Sequence, residues 1–80
     1  MEYNMDIIVK ILQNIRPEFN FEDNVDFFEI GMLDSFDMLS LISDLEKEFD
    51  IKINGIDIIP ENFNSLNSIK DLLNKYGVII

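Results

Sequence analysis

The chain has 80 residues, with 16 acids against 6 bases, a net charge of -10 and neither cysteine nor histidine. That size allows a single domain over residues 1–80, and the missing residue types exclude disulfides, thiolate metal sites and imidazole catalysis. The negative field opposes nucleic acid and anionic membrane surfaces and favours a basic protein partner.

With 48% hydrophobic residues, seven Phe and two Tyr, the composition is that of a packed domain rather than a disordered chain. The apolar runs Ile7-Ile8-Val9 and Val78-Ile79-Ile80 are too short to span a membrane or to form a signal-peptide core, so a cytoplasmic protein without membrane insertion is expected.

Met5, Ile8, Ile11, Leu12 and Ile15 recur at intervals of three and four, which predicts a first helix capped by Asn4 and stopped by Pro17. Between Pro17 and Asp34 the periodicity is lost, yet Phe19, Phe21, Val25, Phe27, Phe28, Ile30 and Leu33 persist. The expectation is a long loop pinned to the core, and a connection of that length is uncommon unless it serves a function.

A second helix is predicted from Asp34 or Ser35, both good caps, to about Phe49, with Met38, Leu41, Ile42, Leu45 and Phe49 facing inward. Ile51, Ile53, Ile56 and Ile58 around Asn54-Gly55 indicate an extended stretch with a turn. Pro60 opens a single turn through Phe63, and Ser65 caps a last helix with Leu66, Ile69, Leu72, Leu73 and Tyr76 inward and Gly77 at its end. The expected fold is all-α: three main helices and one short one around a common core, with a long loop between the first two.

The carboxylates prompt a search for calcium, but Asp23-Asn24-Val25-Asp26 and its continuation lack the regular oxygen-ligand spacing of a helix-loop-helix calcium site. No nucleophile-base pair or metal cluster stands out, so the chain is read as no enzyme. The run with chemical content is Gly31-Met32-Leu33-Asp34-Ser35-Phe36-Asp37, where a glycine turn delivers an Asp-Ser pair onto the start of the strongest amphipathic helix. A serine at a helix start is exposed, and an anion attached to it meets the positive end of the helix dipole. Taken alone, an Asp-Ser pair reads first as a plain helix cap.

Asp34-Ser35-Phe36, with Phe28 and Gly31 upstream, Leu41, Ile42, Leu45 and Phe49 downstream and Pro60-Glu61-Asn62-Phe63-Asn64-Ser65 before the last helix, resembles the phosphopantetheine-dependent carrier proteins over nearly the whole chain. Phe in the third position of the family's Asp-Ser-Leu signature is similar to the D-alanyl carriers, and the segment before the last helix to stand-alone aminoacyl and peptidyl carriers. The resemblance implies the acyl-carrier four-helix bundle. It also implies a 4'-phosphopantetheine arm, attached to Ser35 by a separate magnesium-dependent phosphopantetheinyl transferase, that holds acyl or aminoacyl groups as thioesters.

The partners so implied are that transferase, an adenylating or acyl-loading ligase, and a downstream acyl or aminoacyl transferase or synthase, all met by a monomer. The second helix becomes the surface that partners read, with Asp34, Phe36, Asp37, Leu39, Ser40 and Ser43 as the candidate recognition residues. Asp34 is either a cap or an aid to the transferase and its metal, and Phe36 and Leu39 either contact partners or pack against the long loop. Asp44, Glu46 and Glu48 lie along the polar side of the helix, whereas Ser40, Ser43 and Lys47 interrupt the acidic pattern of fatty-acid acyl carriers. The rival reading from another class is an unmodified acidic helical adaptor that binds a basic protein through the same helix.

Overall fold

The computed structural model describes residues 4–22 and 25–80. Three α-helices form as the periodicity requires: α1 is Met5–Ile15, α2 is Ser35–Phe49 and α3 is Leu66–Lys75, with two 3-10 turns, Gly55–Asp57 and Pro60–Asn62, between α2 and α3. The short helix expected after Pro60 is the second of these turns, closed by the Phe63 N–H on the Pro60 carbonyl at 2.9 Å. The first replaces part of the stretch expected to be extended, because Gly55 and its neighbours bond locally, Ile58 N–H to the Gly55 carbonyl at 3.1 Å.

The ends of the helices follow from side-chain chemistry. Asn4 Oδ1 accepts from the Asp6 N–H at 3.0 Å, and Ser65 Oγ from the Ser68 N–H at 3.0 Å, each satisfying a donor that the helix itself leaves open. At the far end of α1, Arg16 leaves helical geometry (φ -133°, ψ 81°), as a residue before proline must. Beyond α3, Gly77 turns left-handed at φ +84°, and the Gly77 and Val78 N–H groups reach back to the Asn74 and Leu73 carbonyls. This closing motif brings buried Val78 onto buried Leu73, so the apolar end of the chain packs back at Val78 while Ile79 stays exposed.

α1 packs on both α2 and α3. Ile8, Leu12, Leu41, Leu45, Phe63, Ile69 and Leu73 are fully enclosed, and Ile11, Ile42, Phe49, Leu66 and Leu72 lie just outside them. Each such side chain contributes about 1.5–3 kcal/mol by leaving water, which is what holds a chain of this charge together. Met38, expected in the same stripe, is only half-buried at its edge.

The long connection from Arg16 to Asp34 is pinned as expected. Phe21, Phe27, Met32 and Leu33 are buried, and the Phe21 and Phe27 rings meet edge to face with centroids 5.0 Å apart. Asp26 organises its second half: Oδ1 accepts from the Phe28 and Glu29 N–H groups, both at 3.0 Å, and Oδ2 from the Asn64 amide at 3.1 Å. The Phe27 N–H reaches the Asn64 carbonyl at 2.8 Å, so the loop is tied to the residue before the cap of α3. Ile30, expected among the anchors, is exposed because it lies on the outer side of this turn. Of the calcium candidates, Asp23 and Asn24 lie outside the described residues. Among the described residues no group of three or more Asp and Glu side chains comes together as a cation site.

One buried charge completes the scaffold. Asp57, 7% exposed, receives Lys75 Nζ at 2.8 Å and the Tyr76 hydroxyl on its other oxygen, while Tyr76 accepts from the Asn54 N–H at 2.8 Å and Asn62 donates to the Asp57 carbonyl at 2.8 Å. The cluster fastens the segment after α2 to the end of α3, because a buried carboxylate is tolerated only when its oxygens are partnered. Lys75 first and Tyr76 second hold the Asp57 carboxyl below its ordinary 3.8, and the bond to Asp57 holds Lys75 above its ordinary 10.5.

The Asp57 contribution to stability is therefore complete above pH 3.8 and is lost as pH falls toward the lower native value. That of Lys75 is complete below pH 10.5 and is lost above it. Thermal melts against pH will show the acid-side loss in the natural chain and a shallower one in Asp57→Asn, and the alkaline-side loss will be shallower in Lys75→Met.

A second prediction concerns Asp50, which ends α2 in the left-handed region at φ 52° while its N–H and that of Ile51 bond to the Glu46 carbonyl. Asp50→Gly will raise stability by about 0.5–1 kcal/mol in denaturant titrations, because glycine adopts this conformation without strain from a Cβ.

Candidate functional site at the start of helix α2

The Gly31 turn and the first turn of α2 build the site. Gly31 takes φ +81°, which reverses the chain after Ile30. Buried Met32 and Leu33 follow, and the Leu33 N–H closes on the Phe27 carbonyl at 3.0 Å. With these two residues anchored, the chain emerges at Asp34 in extended conformation (φ -121°, ψ -175°), the geometry of a helix cap.

The two cap candidates are thereby separated. Asp34 is the cap: its Oδ1 accepts from the Asp37 N–H at 2.9 Å, and Asp37 Oδ2 accepts in return from the Asp34 N–H at 3.0 Å. This is a reciprocal capping box made from two carboxylates. Ser35 is left as the first helical residue, exposed, with its hydroxyl engaged by no described residue.

Arg16, at the end of α1, closes the site. Its Nε donates to Asp37 Oδ2 at 2.8 Å, Nη2 to Asp34 Oδ2 at 3.2 Å and Nη1 to Glu18 Oε2 at 3.4 Å. The Asp37 N–H, followed by the charge of Arg16, holds the Asp34 carboxyl below its ordinary value, and the bond to Asp37 keeps Arg16 still more firmly protonated. The sequence reading missed Arg16. Its only signal was a cation immediately before the helix-ending proline.

The other candidates fall into two groups. Phe36, 80% exposed, and Leu39, 60% exposed, extend into solvent beside Ser35, so neither packs into the long loop. Ser40 and Ser43 continue the same exposed side of α2. Asp37, by contrast, has a side chain only 13% exposed and is engaged by Arg16.

Glu46 turns away to accept the Ile53 N–H at 2.9 Å. Asp44 and Glu48 line an open groove of about 310 Å³ with Ile11, Asn14 and Lys47. That lining is polar apart from Ile11 and does not suit an alkyl chain. Among the described residues no helix is long and apolar enough to cross a membrane.

The site is thus an exposed serine at the first position of a helix, its hydroxyl engaged by no described residue. The family model described as the phosphopantetheine attachment site matches residues 5–74, and the chain belongs to this family. No curated protein and no solved structure matches the chain. Members bear 4'-phosphopantetheine covalently on a serine, work with a phosphopantetheinyl transferase and acyl-handling enzymes, and are not themselves catalytic.

The site residues fit such a group, because derivatising the Ser35 hydroxyl removes no hydrogen bond from the fold. Ser35→Ala will accordingly keep the native circular dichroism spectrum and change stability by no more than about 0.5 kcal/mol. A loss near the ~1 kcal/mol typical of a removed cap would mean that Ser35, not Asp34, caps α2 in solution.

Proposed function

We propose that residues 1–80 act as a single carrier domain, modified at Ser35, that moves an amino acid or small acyl group between the enzymes of a biosynthetic pathway. The observation that carries this reading is the division of labour at the start of α2, where Asp34 caps the helix and leaves the Ser35 hydroxyl exposed and unengaged. The other serines are less suited. Ser65 and Ser68 are tied into the start of α3, and Ser40 and Ser43 lie beyond the first turn of α2, away from the helix end that favours an added anion.

In the attachment step the Ser35 oxygen forms a bond to the phosphorus of coenzyme A that bears the pantetheine unit. The phosphoanhydride bond breaks, adenosine 3',5'-bisphosphate leaves, and the serine proton passes to the transferase. Bound there, the group supplies a thiol that holds cargo as a thioester, which the chain without cysteine cannot do by itself. The protein's own residues present the attachment point: buried Met32 and Leu33 fix the entry of the chain, Asp34 fixes the first turn, and Ser35 sits at the positive end of the α2 dipole.

Phe36, Leu39, Ser40 and Ser43 form the face offered to partners, with Asp34 at its edge beside the serine. This face is uncharged along its length, so partner contact rests on apolar burial around the two exposed side chains more than on steering by charge. The absence of an acidic face and the Phe after the serine favour an aminoacyl carrier, either D-alanyl or peptidyl, loaded by an adenylating ligase, over a fatty-acid carrier.

Intact-protein mass spectrometry after incubation with coenzyme A, magnesium and a broad-specificity transferase will show the gain of one arm, located by fragmentation to Ser35. Ser35→Ala will gain none. An arm on another serine, or none on folded protein across several transferases, contradicts the proposal, and the second result makes the chain an unmodified adaptor.

A further inference from the structure

We infer that Arg16 is a positioning residue for the modification of Ser35, holding together the pair of carboxylates that presents the serine at the first position of α2. The inference rests on Ser35 being the attachment residue. Its starting point is an electrostatic conflict within the cap. The reciprocal box of a helix start ordinarily joins a neutral serine or threonine to one acid, whereas here Asp34 and Asp37 fill both places. Two carboxylates within one helical turn repel each other, which weakens the hydrogen bonds that each makes to the other's N–H.

Arg16 relieves that repulsion from outside the helix. One nitrogen of its planar fork donates to Asp37 at 2.8 Å and another to Asp34 at 3.2 Å, a two-point contact that the single ammonium of a lysine does not reproduce. The bridge spans 18 positions of sequence to Asp34 and 21 to Asp37. It therefore locks the end of α1 to the beginning of α2 across the long connection and immobilises the residues on both sides of Ser35. The pairs to Asp34 and Glu18 are exposed and contribute little to stability, while the Asp37 carboxylate is largely enclosed, so the consequence of the bridge lies first in geometry.

Positioning and simple attraction predict opposite effects for loss of the charge. Arg16 is surrounded by the three carboxylates of Glu18, Asp34 and Asp37. Removing it makes the surface around Ser35 more negative, so by charge alone a basic transferase would be captured no less well. If its role is to hold the nucleophile, the chemical step slows although capture does not.

The test compares the natural chain, Arg16→Gln and Arg16→Lys, starting from unmodified protein with coenzyme A, magnesium and a broad-specificity transferase. Two quantities are read: the single-turnover rate of arm transfer at saturating transferase and, separately, the KM for the carrier. Arg16→Gln is expected to slow the single turnover by about tenfold with KM unchanged or lower, and Arg16→Lys to fall between the two. Amide hydrogen exchange at Asp34 and Asp37, followed by NMR on the unmodified proteins, will be faster in Arg16→Gln while the core amides keep their protection.

A single-turnover rate in Arg16→Gln equal to that of the natural chain overturns the inference and leaves Ser35 as the attachment residue. A natural chain that accepts no arm on Ser35 overturns the reading of Ser35, and the inference with it. Should Arg16→Gln fail to fold, Arg16→Lys decides: a rate at saturation equal to that of the natural chain overturns the inference, and a loss of twofold or more supports it.

Discussion

The register of helix α2 is the constraint on which everything else at the functional end of the molecule depends. A helix can begin at any of several neighbouring residues, and its starting point decides which side chain caps the first turn and which is left outside the cap. If α2 began at Asp34, Ser35 would move into the second helical position and the Asp34 carboxylate would no longer serve as the cap. The Asp34–Asp37 box prevents this from within, and the burial of Met32 and Leu33 immediately upstream prevents it from behind. The exposed serine is thus the outward expression of an anchored segment.

The long connection between α1 and α2 has a corresponding purpose. Its ends are held by different means: Arg16 ties its beginning to the start of α2, and Asp26 ties its second half to Asn64 beside α3. Between these ties Phe21, Phe27 and Leu33 enter the core. The segment satisfies part of its backbone internally, with the Ile30 N–H on the Asp26 carbonyl and the Leu33 N–H on the Phe27 carbonyl, and part through the Phe27 N–H on the Asn64 carbonyl.

The electrostatics of the domain are more local than its net charge of -10 suggests. Several carboxylates are consumed in holding the fold: Asp26 in a turn, Asp34 and Asp37 in the cap, Glu46 on the Ile53 N–H and Asp57 in the buried cluster with Lys75 and Tyr76. The face of α2 beside Ser35 is left with two exposed apolar side chains and two serines. Membership of the phosphopantetheine attachment family defines the kind of cofactor.

The helices, their inward faces, the Asn4 and Ser65 caps and the stops at Pro17 and Gly77 were legible in the sequence, because each depends on residues within a turn or two of one another. So was the Asp-Ser pair, through its place at the head of the longest helical segment, although α1 and α3 divide their apolar and polar faces more sharply than α2 does. What the sequence left open was decided by contacts between distant positions. Which residue caps α2 depends on where buried Met32 and Leu33 deliver the chain, and the partner of that cap is an arginine 18 positions away.

Ile30 and Met38 had the composition of core residues, but the turn after Asp26 places Ile30 outside the core and the edge of the bundle leaves Met38 half-buried against it. Asp37 and Glu46 looked like surface acids and proved to be hydrogen-bond acceptors for the fold itself. Local periodicity and capping chemistry therefore determined the elements of this protein and its candidate serine. The tertiary structure alone decided which charges remain for partners, since an ion pair or a cap between sequence-distant groups leaves no periodic trace.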